Sequence, residues 1–196
     1  FIKVPSWVGE PRQDLLERMN SKVQFDTPLH CPFITHLLHN MSQDQVRDML
    51  KYMGMSNSKE SKVKVIFIPC YMDGNDGIMD ITYYDLVLGN DLTVYPSYYE
   101  PWGYTPLESV AFHVPAITTD LAGFGLWVNS LKGKYGELED GVKVIHRSDY
   151  NYSEVADAIK DTISEFSGMS EDEIKKIRKK AAGIAEKEQW KHYIKY

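Results

Sequence analysis

Two glutamates, Glu100 and Glu108, stand eight positions apart inside YPSYYEPWGYTPLES, where Tyr95, Tyr98, Tyr99, Trp102 and Tyr104 crowd the same stretch. Carboxylates so placed can meet sugar hydroxyls or a developing positive charge. Held about 5–10 Å apart across a sugar, they can also act as acid and nucleophile of a glycoside hydrolase. Aromatic faces suit the C–H surfaces of sugars and nucleobases. Pro101 and Gly103 enforce irregular backbone, and Thr105, with Pro106 at the first helical position, opens a helix. A helix start presents free N–H groups and a partial positive charge, which favour a phosphate or diphosphate. Local alternatives stay open. Glu108 stands three after Thr105, the spacing of a capping box, so it can cap the helix. Tyr95 and Tyr98 can be core aromatics.

The elements that must hold this stretch alternate between strand and helix patterns. FIKVP reads as a strand, followed by a helix with Pro11 near its first turn and Leu15, Leu16 and Met19 on one face. Past an irregular stretch through Pro28 and Pro32, SQDQVRDMLKYMG predicts a helix with Ser42 and Gln45 as capping box and Gly54 at C′. KVKVIFIP is a nearly continuous apolar strand, as in a sheet covered on both faces. TYYDLVLGN reads as helix, LTVYP as strand, TPLESVAFH as helix, PAITT as strand, then a Gly-containing loop, strand VKVIH, and helices capped by Ser153 and Ser170. This alternation implies parallel βαβ units: an α/β, Rossmann-like parallel sheet with helices on both faces. Ligands of such sheets sit at the strands' carboxyl ends, here the loops after LTVYP and PAITT.

The bulk composition sets the outer bounds. With 196 residues, 43% apolar and 26% charged, the chain fits one ordinary globular domain over residues 1–196. A net charge of −6 argues against a nucleic-acid partner, which needs clustered Lys and Arg. No apolar run approaches the roughly 20 residues of a membrane span. Cys31 and Cys70, outside any CxxC or Cys/His spacing, fit a reducing compartment, so a cytoplasmic domain is expected. No D-x-D is present to bridge a diphosphate through a metal. The DGNDG loop offers Gly77 and Tyr84 where a calcium-binding EF-hand needs an oxygen ligand and a Glu, so it reads as a turn. The histidines form no HExxH; His113 at a helix end and His146 at a strand end read as structural or solvent-facing. Opening at Phe1 inside a strand, and closing on Ile194 and Tyr196 without a stop signal, the chain is expected to be part of a longer one.

The stretch YPSYYEPWGYTPLESVAFHVPAITTDLAGFG resembles the signature of the eukaryotic-type glycogen synthases, retaining glycosyltransferases of the GT-B fold, with their E-x7-E pair at Glu100 and Glu108 and T-T-x-L-x-G-F-G at Thr118 through Gly125. THLLHN, KVKVIFIP, DGNDG and the closing EQWKHYIKY are similar to the family's second domain. The resemblance implies a C-terminal nucleotide-sugar-binding half. It places Glu100 at the donor glucose in catalytic support and Glu108 on the ribose hydroxyls. The backbone amides of Trp102, Gly103, Tyr104 and Thr105 would hold the diphosphate, and Tyr83, seventeen before Glu100, would stack on the nucleobase. Tyr84 is adjacent, so a one-residue shift in alignment exchanges the two tyrosines. The implied donor is a nucleotide-diphosphate glucose, with UDP favoured, and the acceptor a glucan. No cofactor or metal is implied, and a homo-oligomer is compatible with the reading. The family's diphosphate-neutralising Arg and Lys, and its acceptor domain, lie upstream of the matching region, so this fragment alone is expected to be inactive. A non-catalytic carbohydrate- or nucleotide-binding module is the other reading. The helix SEDEIKKIRKKAAGI carries only Arg178 where some members have an arginine cluster. Its Ile174, Ile177, Ala181 and Ile184 form an apolar stripe opposite a solvated face.

Overall fold

The computed structural model describes residues 8–11, 33–38, 40–55, 57, 61–192 and 194. The chain divides into two compact units, Phe1–Tyr83 and Tyr84–Tyr196. In the first, β1 (Val8–Pro11) pairs antiparallel with β3 (His36–Leu38), and β2 (Phe33–Ile34) pairs parallel with β4 (Ile66–Phe67). Pro11 therefore closes a strand rather than opening a helix; the FIKVP strand, the Leu15–Met19 face and the Pro28–Pro32 stretch lie outside the described residues. Helix α1 (Gln45–Tyr52) starts later than a Ser42 cap would give, because Asp44 accepts the Arg47 amide at 2.7 Å. Its end is the expected one. Gly54 adopts φ 69°, Gly54 N–H donates to the Lys51 carbonyl and Met55 N–H to that of Leu50, a complete Schellman stop.

The second unit carries the sheet that matters for function. Strands β5 (Thr93–Val94), β6 (Ala116–Thr119) and β7 (Val142–Ile145) lie side by side in that order, all parallel. Alternation along each strand divides the core. Ala116, Val142 and Val144 pack on one face with α3 (Tyr104–Ala111), α4 (Gly123–Lys132) and α6 (Glu171–Ala185), through Val110, Phe124, Val128, Ala181 and Ile184. Ile117 and Ile145 pack on the opposite face with Val155, Ala158 and Ile159 of α5 (Tyr152–Ser167). The fold is thus a mixed α/β arrangement of Rossmann-like kind, with helices covering both faces of a parallel sheet. The short α2 (Tyr83–Leu88) leads into β5.

Two further elements differ from the sequence expectation. The Gly-containing segment after β6 is a ten-residue helix, α4, rather than a loop. Its glycines serve tertiary contact: a Cβ on Gly123 would stand 2.3 Å from the Pro101 carbonyl oxygen, and one on Gly125 2.1 Å from that of Thr119. Helix α5 begins at Tyr152 after Asn151, without a Ser153 cap. Helix α6, by contrast, begins in a full capping box of Ser170 and Glu173. Its buried stripe is Ile177, Ala181 and Ile184, while Lys175 pairs on the outer face with Glu171 at 3.7 Å and Asp172 at 3.6 Å. Arg178 reaches the Asn90 carbonyl at 2.5 Å, tying α6 to the turn before β5.

Candidate functional site

Ladder bonding fixes β5 only as far as Tyr95, whose amide donates to the Ile117 carbonyl at 2.8 Å. The chain then leaves the sheet at its carboxyl edge as the loop carrying Glu100. This loop leans on the turn after β6. Glu100 N–H donates to the Leu121 carbonyl at 3.2 Å, Gly123 N–H returns to the Glu100 carbonyl at 3.1 Å, and Phe124 N–H donates to the Trp102 carbonyl at 2.6 Å. Side chains reinforce the contact. Thr119 Oγ1 donates to the Ser97 carbonyl at 2.6 Å, and Ser97 Oγ donates to Glu100 Oε2 at 3.1 Å. Glu100 is half-buried in an irregular segment, outside any regular strand.

Helix α3 comes next and has an open start. Gly103 enters it at φ 108°, a left-handed conformation suited to glycine, and no side chain caps the first amides. A Cβ on Gly103 would meet Phe124 Cβ and Pro106 Cγ at 3.3 Å and Glu100 Oε2 at 3.6 Å, so the Glu100 carboxylate lies against the helix start. Trp102, Gly103, Tyr104 and Thr105 make this start together, with Tyr104 as the first helical residue and Thr105 inside the helix. Thr105 is therefore no cap, and Glu108 closes no capping box. Glu108 instead accepts a hydrogen bond from Tyr84 Oη at 3.2 Å, and the charge of Glu108 holds the Tyr84 phenol above its usual range. The Tyr84 ring rests on Phe112 with centroids 5.5 Å apart.

The aromatics separate by role. Tyr95 and Trp102 pack against the core, Trp102 edge-on to Phe124 at 6.3 Å and beside Trp127 at 5.9 Å. Tyr98, Tyr99 and Tyr104 stay exposed, at 53%, 77% and 68%. Tyr83 opens α2, half-buried, its amide donating to the Met72 carbonyl at 2.9 Å. Of the two adjacent tyrosines, Tyr84 is the one hydrogen-bonded to Glu108.

One cluster escaped the sequence reading because its members are scattered. Asp120, at the end of β6, accepts from His146 Nδ1 at 2.6 Å, Tyr135 Oη at 3.0 Å and the Arg147 amide at 2.9 Å. Burial raises the Asp120 pKa, but these bonds outweigh it and hold the carboxyl below the usual range. The Arg147 guanidinium donates to the Pro96 carbonyl and lies over the Tyr98 ring, 5.3 Å from its centroid. His146 is thus both solvent-facing, with its side chain 64% exposed, and hydrogen-bonded. Beside this cluster, Thr118 Oγ1 is buried without a hydrogen-bond partner among the described residues.

The first unit holds the DGNDG loop. The Asp76 carboxylate accepts the amides of Ile78, Met79 and Asp80, which is turn chemistry. His36, Cys70 and Asp76 bring a nitrogen, a sulfur and an oxygen within 4.8 Å of one another. Both His36 ring nitrogens are already engaged, with the Thr35 hydroxyl at 2.8 Å and the Asp76 carbonyl at 2.9 Å. Among the described residues, no helix is long and apolar enough to cross a membrane.

These features define a class: a Rossmann-like α/β unit whose sheet presents, at its carboxyl edge, an uncapped helix start with the Glu100 carboxylate against it. The chain belongs to the glycogen synthase family, whose model matches residues 14–196. It is 33% identical over 135 residues to glycogen [starch] synthase isoform 1 of Saccharomyces cerevisiae, covering 69% of this chain and 19% of that protein. Against glycogen [starch] synthase of Neurospora crassa it is 28% identical over 160 residues, 82% of this chain and 22% of the relative. With the liver glycogen [starch] synthase of Mus musculus it shares 38% over 97 residues, half of this chain and 14% of the relative. The matched stretch of the chain spans 19%, 22% and 14% of the length of these three relatives.

Proposed function

We propose that this chain is the C-terminal, donor-binding half of a GT-B glycogen synthase that transfers glucose, with retention, from a nucleotide-diphosphate glucose to the 4-hydroxyl of an α-1,4-glucan. The observation that carries the proposal is the α3 start, entered through left-handed Gly103 without a side-chain cap and with Glu100 against it. Free N–H groups there suit the diphosphate, at the point where negative charge grows as the leaving group departs. The amides involved are those of Trp102, Gly103, Tyr104 and Thr105. Glu100, beside them, faces the sugar as positive charge develops on its anomeric carbon. Glu108, one turn further along, takes the ribose hydroxyls, and Tyr83 stacks on the base, with uracil as the favoured one. Cations for the diphosphate come from the start of the nucleotide-binding domain, upstream of this chain, and the acceptor-binding surface from an N-terminal domain of the full protein, whose location is cytoplasmic.

The deciding assay uses the full-length protein with UDP-glucose and ADP-glucose on a glycogen primer. Glucose incorporation with UDP-glucose as the better donor is expected. Absence of transfer from either donor overturns the proposal, and a preference for ADP-glucose overturns its base assignment. The isolated chain should extend no primer; loss of a single leaving-group donor commonly costs about 10²–10³ in rate.

A further inference from the structure

The loop that carries Glu100 lies beyond the reach of the sheet ladder. Strand pairing between β5 and β6 covers Thr93 and Val94, and the Tyr95 amide makes the last bond of that series. The next three residues are held from outside, one after another. The Pro96 carbonyl takes the Arg147 guanidinium, the Ser97 carbonyl takes Thr119 Oγ1, and the Tyr98 ring lies under Arg147. Ser97 then passes the constraint to Glu100 through its hydroxyl.

Arg147 is suited to this task because its own base is fixed. Its amide donates to Asp120 Oδ1, and the Asp120 amide donates to the Ile145 carbonyl at 3.0 Å, so residues 120 and 147 bracket the ends of β6 and β7. His146 and Tyr135 complete the shell around the Asp120 carboxylate. From this bracket the guanidinium crosses the carboxyl edge of the sheet and grips a loop 51 residues earlier in sequence. A planar fork can donate to a carbonyl and lie on a ring at once; an ammonium group is a point charge without that geometry.

We infer that Arg147 is a positioning residue, which clamps the Pro96–Tyr98 segment and thereby sets where the Glu100 carboxylate stands. The inference rests on the reading of Glu100 as the group that faces the donor sugar. A displacement of about 1 Å at a reacting centre can cost about 100-fold in rate. The clamp should therefore act on turnover more than on donor affinity, since the α3 start and Glu108 do not depend on it.

The test uses the full-length protein with Arg147→Lys and Arg147→Ala, the lysine variant being the milder should the alanine variant fold poorly. Two quantities are measured: steady-state kinetics with UDP-glucose and glycogen, and hydrogen exchange of the amides from Ser97 to Glu100. The expected result is a kcat lowered about 10-fold by lysine and about 100-fold by alanine, with donor KM within about twofold. Exchange should quicken in the loop and stay slow in β6 and β7. Lost turnover with unchanged loop exchange overturns the inference, because Arg147 would then meet the reactants directly. Faster loop exchange with normal kcat overturns it too, as does a rise in exchange throughout β6 and β7. If the unsubstituted protein transfers no glucose, the proposed function fails, while the exchange measurement still decides whether Arg147 holds the loop.

Discussion

Helices α3 and α6 carry the same local pattern at their starts, Thr105-x-x-Glu108 and Ser170-x-x-Glu173, yet they begin in opposite ways. In α6 the pattern closes on itself. Ser170 accepts the Glu173 amide, Glu173 accepts the Ser170 amide at 2.8 Å, and the helix start is filled. In α3 the chain enters through Gly103, Thr105 falls inside the helix, and Glu108 turns to Tyr84. A capping box therefore depends on the backbone that precedes it as much as on the residues that spell it. The open start is the one beside Glu100, at the carboxyl edge of the sheet; the closed one has its cap filled by Ser170 and Glu173.

The sharpest way to break this contrast is at the open end. Glu100→Gln in the full-length protein should lower kcat by about 10²–10³ if Glu100 has the role proposed for it, a magnitude typical of one electrostatic group lost at a reacting centre. Glu108→Ala should instead raise donor KM, because the ribose contact proposed for it would act alike in ground and transition states. Equal kcat losses from both variants would erase the division of roles.

A smaller but broader effect is expected from Gly103→Ala. The residue sits at φ 108°, and its new methyl would press on Phe124 and Pro106 at 3.3 Å. A stability loss of about 1–3 kcal/mol is expected by chemical denaturation, together with weaker donor binding. An alanine variant as stable as the parent would show that α3 can begin without its left-handed entry.

Smaller still is the paired test of the two caps. Ser170→Ala should cost about 1 kcal/mol of stability and leave donor KM unchanged, whereas Thr105→Ala should shift stability by less than about 0.7 kcal/mol. A Thr105→Ala loss as large as that of Ser170→Ala would mean that α3 is capped after all.

The least effect concerns acid. The Ser170 hydroxyl and amide hold the Glu173 carboxyl below its usual range. A lowered folded pKa contributes stability above the unfolded value, near about 4.3, and that contribution is lost as pH falls through the folded one. The Ser170→Ala deficit should therefore shrink on acid titration below about pH 4, read by denaturant midpoints across pH. A deficit that stays constant with pH would separate the hydroxyl cap from the carboxylate.

Much of this was legible in the sequence where the cause is local. The Ser170 cap, Gly54 after α1, the strands β5, β6 and β7, and the aromatic loop before α3 are all dictated by neighbours within a few residues. The misses have tertiary causes. Gly123 and Gly125 lowered the helical signal of α4, although they are there to admit the Pro101 and Thr119 carbonyls. Thr105 looked like a cap because nothing in the sequence reports the φ of Gly103. Asp120, Tyr135, His146 and Arg147 are scattered along the chain and meet only when β6 and β7 lie side by side. His113 at the end of α3 takes φ 63°, with its amide on Val110 and that of Val114 on Ser109, a stop that glycine usually provides.

The close approach of Gly123 to Pro101 has a consequence for anyone who would rebuild this surface. Residues 100–103 and 121–124 exchange main-chain bonds from both sides, and the gap between them leaves no room for a methyl group. They form a single interlocking part made from two stretches of sequence. A graft of the YPSYYEPWGYTP segment into another scaffold would carry one half of a hinge without its pin. Transplanted together with TTDLAGFG on neighbouring parallel strands, the two halves could assemble; exchanged singly between homologues, the YPSYYEPWGYTP half would need a recipient whose partner segment keeps that glycine.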